Sequence, residues 1–155
     1  MTKQQRINKF ITDFVEFIEQ YYSSQITSIS LEEKEGCVVG TIQGKQESTI
    51  EILTEDSEVI VCFGESHWHI DDYNDPIDYE NIYENTIESV IEILQGKLGT
   101  YSCWRNGRTI GGASFVVSTD SEIVNEIKAT DIFKTSTEIR VKKWGVELRL
   151  SLIHI

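Results

Sequence analysis

The segment between residues 26 and 63 contains four short runs rich in β-branched residues, and their spacing limits the fold more than any other feature. Turn-forming pairs such as Glu35-Gly36 and Gly44-Lys45 separate the runs. Gaps this short allow only hairpin connections, because a parallel crossover needs about a dozen residues or more. The sequence therefore predicts an antiparallel meander whose strands cover about residues 26–33, 37–43, 48–54 and 58–63.

Two longer segments with helical periodicity flank this meander. In the first, apolar residues recur every three or four positions from Ile7 to Tyr22, which predicts a helix over about residues 3–23. The second segment begins at Asp75-Pro76, a pair typical of an N-cap followed by proline in the first turn. Its apolar face ends before Gly96, so we expect a second long helix between these two points.

The last third of the chain returns to β-strand patterns. Asn106-Gly107 lies between two β-prone runs over about residues 101–117 and predicts a hairpin with a type I′ turn. Thr119 and Glu122 have the spacing of a capping box, which predicts a short helix. Alternating apolar residues from Ile139 to Leu152 predict two closing strands.

These elements together predict an α+β fold. We expect a single domain over residues 1–155, with one mainly antiparallel sheet of meander and hairpins, two long helices packed on it and one short helix. The final residues 151–155 resemble translated vector sequence, so the last five residues are open to a non-native origin. Cys37, Cys62 and Cys103 lie far apart in apolar runs and are expected to be buried free thiols.

The negative charge of this chain is concentrated in one window. Between Lys45 and Lys97 the sequence has no lysine or arginine but has fourteen carboxylates, whereas the whole chain has a net charge of −12. Such a local field attracts a basic partner and disfavours nucleic acid, since phosphate binding needs a basic surface. No stretch reaches the ~18 apolar residues of a membrane span, and a cytoplasmic location without membrane contact is expected.

Within the second helix, glutamates repeat every four residues and form one line along its surface. We call this line the glutamate ridge, and it consists of Glu80, Glu84, Glu88 and Glu92. Like charges at this spacing destabilise a helix by roughly 0.2–0.5 kcal/mol per pair. No lysine four residues away relieves them, so either solubility or binding of a basic partner accounts for the ridge.

A second cluster, His67-Trp68-His69-Ile70-Asp71-Asp72, precedes the acidic helix. If this stretch is extended, His67, His69 and Asp71 share one face and Trp68 and Ile70 share the other. Two imidazoles and a carboxylate are plausible zinc or iron ligands, which leaves a metal-dependent enzyme as an alternative. The simpler interpretation is that the histidines lie beside acids on a half-exposed strand and form hydrogen bonds with them.

Catalytic sequence signatures are absent: the chain has no P-loop, no G-x-S-x-G and no paired-cysteine metal site. In general character, over its whole length, this small acidic α+β chain resembles the immunity proteins of bacterial polymorphic toxin systems. The resemblance implies a non-enzymatic protein without cofactor that binds a basic cognate toxin, for which a nuclease is one example, and blocks its active site. A housekeeping domain whose acids serve only solubility is the remaining alternative, and the oligomeric state stays open.

The candidate binding surface is the loop before the second helix together with part of the glutamate ridge. Trp68 and Tyr73 are the expected aromatic anchors, because aromatic side chains ringed by charges are typical of binding hot spots. The expected charged residues are Asp71, Asp72, Asp75, Asp78, Glu84, Glu88 and Glu92.

Overall fold

The computed structural model describes residues 1–56, 58–71, 77–116, 125, 127–128 and 132–151. Within these residues the chain is an α+β protein with two antiparallel sheets and two α-helices, which confirms the predicted fold class. None of the helices in this part of the chain is long and apolar enough to cross a membrane.

The first sheet is the predicted meander. Its five strands lie side by side in chain order, and each pairs with the next in antiparallel register. The hairpin turns contain residues with positive φ, for example Glu35 and Gly36, as tight connections require. The strands are β1 (Ser28–Lys34), β2 (Cys37–Gln43), β3 (Thr49–Glu55), β4 (Glu58–Phe63) and β5 (Ser66–Ile70).

Both long helices pack on one face of this sheet. Helix α1 (Lys3–Tyr21) begins at an N-cap threonine, Thr2, in a complete capping box with Gln5. It contacts β1, β2 and β3, whereas helix α2 (Tyr79–Leu94) contacts β4 and β5. The main hydrophobic core lies between the helices and the sheet, where the isoleucines of both layers are fully buried.

The start of α2 corrects the sequence prediction. The helix begins at Tyr79 with Asp78 as N-cap, three residues after the predicted pair Asp75-Pro76, which lies outside the described residues. The Asp78 carboxylate accepts a hydrogen bond from the Asn81 backbone amide at 3.2 Å. Ile77, just before this cap, packs against the core cluster that contains Ile82, which is the placement of a hydrophobic staple at a helix N-terminus.

The strands after α2 form a second sheet, so the predicted single sheet is wrong. The strand order is β7-β6-β8-β9, and β6 pairs with β7 on one side and β8 on the other. The predicted hairpin is confirmed, and Asn106 and Gly107 both have positive φ. The strands are β6 (Leu98–Arg105), β7 (Arg108–Val116), β8 (Glu138–Lys143) and β9 (Val146–Ser151). The short helix predicted from Thr119 falls largely on residues that the structure does not describe, as do residues 152–155.

The second sheet is joined to the turns at one end of the first. A Cβ at Gly64, in the β4–β5 turn, would lie 2.6 Å from Thr100 Oγ1 on β6. At the β2–β3 turn, the Ser48 hydroxyl accepts a hydrogen bond from the Gly145 amide at 2.8 Å. The Trp144 indole donates to the Gln25 carbonyl at 2.7 Å. Close backbone approach at these turns therefore holds the two sheets together.

One buried group in the main core offers a test of packing. Among the described residues, the Thr54 hydroxyl is buried without a hydrogen-bond partner, and the residue is 5% exposed. We expect Thr54→Val to raise the free energy of unfolding by about 1 kcal/mol, because it removes an unsatisfied buried hydroxyl without changing side-chain volume much. Urea denaturation measures this change.

Thr86→Val is the matched control. The Thr86 hydroxyl is also buried, but it donates to the Ile82 carbonyl at 2.8 Å, so its loss should leave stability unchanged or lower it. Equal stabilisation by both substitutions would show that general hydrophobicity, and not the unsatisfied hydroxyl of Thr54, causes the effect.

Candidate functional site

The alternation predicted for the histidine cluster is confirmed along β5. His67 and His69 are exposed on the sheet face away from the helices, and their rings lie 5.1 Å apart. Trp68 lies on the helix-facing side, where it is half-buried and packs against the main core. Its indole donates to the Ser114 hydroxyl on β7 at 3.3 Å. Trp68 thus connects the two sheets, and its position favours a packing role over that of a protruding anchor.

His69 forms the hydrogen bond to an acid that the sequence analysis predicted. Its Nδ1 lies 2.7 Å from Glu58 Oε2 on the neighbouring strand β4. The Asp71 side chain, which follows β5, interacts with the same carboxyl group and shifts its pKa. Because the two carboxyl groups influence one another in this way, we call Glu58 and Asp71 the carboxyl pair.

The two members of the carboxyl pair have opposite pKa shifts. The hydrogen bond from His69, supplemented by the one with Asp71, lowers the pKa of the Glu58 carboxyl. Partial desolvation raises the pKa of the Asp71 carboxyl, and the hydrogen bond with Glu58 raises it further. The two carboxyl groups therefore titrate as a coupled pair, with the pKa of Asp71 shifted upward and that of Glu58 shifted downward.

No group of three or more histidine, cysteine, aspartate or glutamate side chains in the described part of the chain is arranged to hold a metal ion. The alternative based on His67, His69 and Asp71 therefore has no assembled set of ligands in these residues. The nearest thiol, Cys62, lies opposite His67 on β4. Burial raises the pKa of this thiol and the Glu51 carboxylate raises it further, which favours the unreactive protonated form.

The glutamate ridge lies on the outer side of α2. Glu80, Glu84 and Glu88 are exposed and Glu92 is half-buried. Among residues 77–116, none of these carboxylates takes part in an ion pair. Asp78, in contrast, caps the helix, and Asp72, Tyr73 and Asp75 are outside the described residues. Of the predicted surface, Glu84, Glu88 and Glu92 are therefore the described acids that lack a structural role.

Aromatic contacts show that α1 and α2 run parallel. The Arg6 guanidinium lies over the Tyr79 ring at 5.4 Å, and the Phe10 and Tyr83 rings stack at 4.2 Å. Further along both helices, Phe17 and Ile87 line the same depression. Contacting residue numbers rise together on the two helices, so both helices end on the same side of the molecule. The sequence analysis did not identify this arrangement, because periodicity does not specify the relative direction of two helices.

The parallel arrangement concentrates negative charge at one end of the helical layer. Each helix has a partial negative charge of roughly half an elementary charge at its C-terminus. Neither α1 nor α2 has a basic residue in its last turn. Glu88 and Glu92 therefore lie near two aligned helix C-termini, where a carboxylate is unfavourable for the isolated protein. A basic partner would relieve this repulsion.

We expect Glu88→Gln/Glu92→Gln to raise the free energy of unfolding. The double variant removes two like-charged pairs, at about 0.2–0.5 kcal/mol each, and also an unfavourable interaction with the helix dipole. Urea denaturation at low and high salt measures the gain, which should shrink at ~1 M salt. Glu80→Gln is the control: Glu80 lies in the first turn, where the dipole favours a carboxylate, so little or no gain is expected. Similar gains for both variants would contradict the dipole argument.

Glu58→Gln tests the carboxyl pair. We expect the pKa of Asp71 to fall toward its ordinary value, because the carboxyl group that raises it has been removed. A ¹³C NMR titration of the Asp71 carboxyl measures this change. Glu51→Gln, on the same sheet face, should leave the Asp71 titration unaltered, and an equal shift in both variants would argue against a specific pair.

The carboxyl pair also predicts how stability depends on pH. The raised pKa of Asp71 gives a contribution to the free energy of unfolding that is present at low pH. This contribution is lost as the pH rises through the folded-state pKa of Asp71. The lowered pKa of Glu58 gives a contribution to the free energy of unfolding that is present above the unfolded-state pKa of Glu58. This contribution is lost as the pH falls through the folded-state pKa. The two contributions oppose one another, so titration of the individual carboxyl groups is the informative measurement.

The candidate site thus consists of the glutamate ridge and the aromatic contacts between α1 and α2, with the carboxyl pair on the opposite face of the sheet. No protein-family model, no curated protein and no solved structure matches this chain. A functional proposal for this chain therefore depends on its own geometry and charge.

Proposed function

We propose that this protein is a binding protein of the immunity type, which neutralises a basic cognate toxin by covering it with an acidic surface. The observation that carries the proposal is the glutamate ridge beside two parallel helix C-termini. Three of its four carboxylates are exposed, and none forms an ion pair among the described residues. Repulsion between the carboxylates of the ridge is unfavourable in the free protein. Lysine and arginine side chains of a partner would offset it. The active site of a nuclease, which binds phosphate through basic residues, is one surface of suitable charge.

The rest of the molecule is consistent with a binding role. The described histidines, cysteines and carboxylates assemble no metal site, and the Cys62 thiol is in an environment that disfavours the thiolate. The main core is closely packed around fully buried isoleucines, so α2 presents its ridge from a rigid support. A rigid, preorganised surface lowers the entropic cost of association.

The test compares two triple variants with the same change in charge. In Glu84→Gln/Glu88→Gln/Glu92→Gln the ridge is neutralised, whereas Glu32→Gln/Glu33→Gln/Glu35→Gln removes three exposed acids from the β1–β2 hairpin. The partner is isolated from the source cell with the wild-type protein as bait, and association rates are measured by surface plasmon resonance at several salt concentrations. We expect the ridge variant to associate about tenfold more slowly at low salt, with a weaker salt dependence.

The hairpin variant should associate nearly as fast as the wild type, because its lost charges lie on another element. Equal slowing in both variants would show that net charge alone, and not the ridge, steers the partner. The proposal also requires that the isolated partner is basic and that stoichiometric binding inhibits its activity. A partner that stays active in the complex would contradict the immunity function.

A further inference from the structure

The basic residues of α1 are concentrated near its start. They are Lys3, Arg6 and Lys9, whereas the acidic residues of this helix, Asp13, Glu16 and Glu19, follow in its second half. Because α1 and α2 run parallel, the positive ends of both helix dipoles also lie on this side of the molecule. The start of the helical layer therefore differs from its acidic end and is better suited to an anion.

A depression of about 540 Å³ lies between the two helices near this start. Phe10, Tyr79 and Tyr83 give it aromatic walls, and its charged side chains are Arg6, Lys9 and Asp13. Asp13 is the one carboxylate among the described lining residues, and the Lys9 ammonium is paired with it at 2.6 Å. These two charges offset one another, so Arg6 leaves the depression with a net positive charge.

The Arg6 guanidinium is available to a ligand. Among the residues that the structure describes, Arg6 is exposed and takes part in no ion pair. The guanidinium lies over the Tyr79 ring at 5.4 Å, and the Tyr83 hydroxyl donates to the Arg6 backbone carbonyl at 3.4 Å. A guanidinium over an aromatic face keeps N–H groups free at its edge, where two of them can bind one carboxylate.

A second, apolar depression of about 250 Å³ adjoins the first. Both are lined by Phe10 and Asp13, and the second continues along Phe14, Phe17 and Ile87. Phe17 is 40% exposed there, so an apolar chain laid on it would remove apolar surface from water. The rise from Arg6 to Phe17 along α1 is roughly 16 Å at 1.5 Å per residue, similar to the length of a ten-carbon carboxylate.

The charges of the lining select a ligand with a single negative charge. A cation would meet Arg6 at one end of the site. An acidic peptide or a second copy of the chain would bring several carboxylates to one unpaired guanidinium, against a chain whose net charge is −12. A small molecule with one carboxylate and an apolar body meets the least repulsion and fits the volume of an ordinary ligand site.

We propose that the two depressions form a binding site for a free alkyl carboxylate of the fatty-acid type. The carboxylate binds the Arg6 guanidinium, and the alkyl chain lies along Phe10, Phe17 and Ile87. This inference does not depend on the proposed function, because the site lies between the helices and its lining includes none of the four glutamates of the ridge.

The probe is decanoate at concentrations below micelle formation, titrated into the ¹⁵N-labelled protein and followed by NMR. We expect saturable shift changes within residues 6–17 and 79–87, with a dissociation constant of about 1 mM or tighter. Decyltrimethylammonium, which has the same chain length and the opposite charge, should bind at least about tenfold more weakly. Equal binding of the two probes, shift changes centred on either sheet, or no saturation at ~10 mM decanoate would overturn the proposal.

Arg6→Gln tests the contact with the carboxylate, and Lys3→Gln is its control, since it removes the same charge from an exposed side chain outside the lining. We expect about a fivefold loss of decanoate affinity in Arg6→Gln and less than about a twofold change in Lys3→Gln. Equal losses would show that net charge alone attracts the anion and would contradict the assignment.

Asp13→Asn should have the opposite effect. It removes the carboxylate of the lining and releases Lys9, so decanoate should bind about threefold more tightly and decyltrimethylammonium more weakly. A damaged fold could not produce a gain of this kind. Weaker decanoate binding in Asp13→Asn would count against an anion in this depression.

The position of the alkyl chain is tested by its length. Hexanoate should bind at least about tenfold more weakly than decanoate, because the shorter chain leaves the second depression uncovered. Equal affinities would show that the second depression is not part of the site. An amphipathic Leu/Glu helical peptide that binds these residues more tightly than decanoate would identify an acidic protein segment as the occupant and overturn the proposal.

Discussion

The burial of two apolar helix stripes against one face of the β1–β5 meander is the interaction on which the rest of the structure depends. Contact is closest at Gly40, where an added Cβ would lie 2.6 Å from a methyl group of Val15, so α1 rests almost directly on the backbone of β2. Both helices pack on the face of the meander opposite to the one on which His67 and His69 are exposed. The two helices therefore lie next to one another, and their direct contact creates both the aromatic contacts between them and the acidic end of the helical layer.

Sequence reasoning identified the elements that depend on local chemistry. The Asn106-Gly107 turn and the glycine that ends α2 are each recognised from a few neighbouring residues, and the structure confirms them. The capping box at Thr2 was not predicted, although its residues are also close in sequence. The division into two sheets could not be predicted in this way. It depends on β6 pairing with β8, with residues 106–137 between them, and the hairpin signals specify only pairing between sequence neighbours. The true start of α2 was missed for a related reason, because Asp75 and Asp78 are both suitable N-cap residues and their local sequence does not show which of them caps the helix.

The candidate site could also be predicted only where it depends on residues that are close in sequence. Alternation along β5 correctly placed His67 and His69 on one face, but their acidic neighbour Glu58 could be named only once the register of β4 and β5 was known. The spacing of the glutamates correctly predicted a continuous ridge on α2. The aromatic residues of α1 were predicted only as part of one broad apolar face, because nothing local distinguishes those that contact the sheet from Phe10 and Phe17, which contact α2. Contacts between two helices that are distant in sequence are therefore the feature least accessible to sequence reasoning.

The attachment of the second sheet through Trp144 affects the order in which parts of the chain can fold. The Trp144 indole binds the Gln25 carbonyl across 119 positions of the chain, whereas every pairing in the first sheet joins adjacent strands. On the ribosome, the meander, α1 and α2 can therefore assemble while the second sheet is still being translated. All residues of the two helices have been synthesised at that stage, and Leu98 and Trp144 from the later part of the chain then pack against the same core. The surface with which this protein is proposed to meet its partner thus belongs to the part of the chain that can fold first.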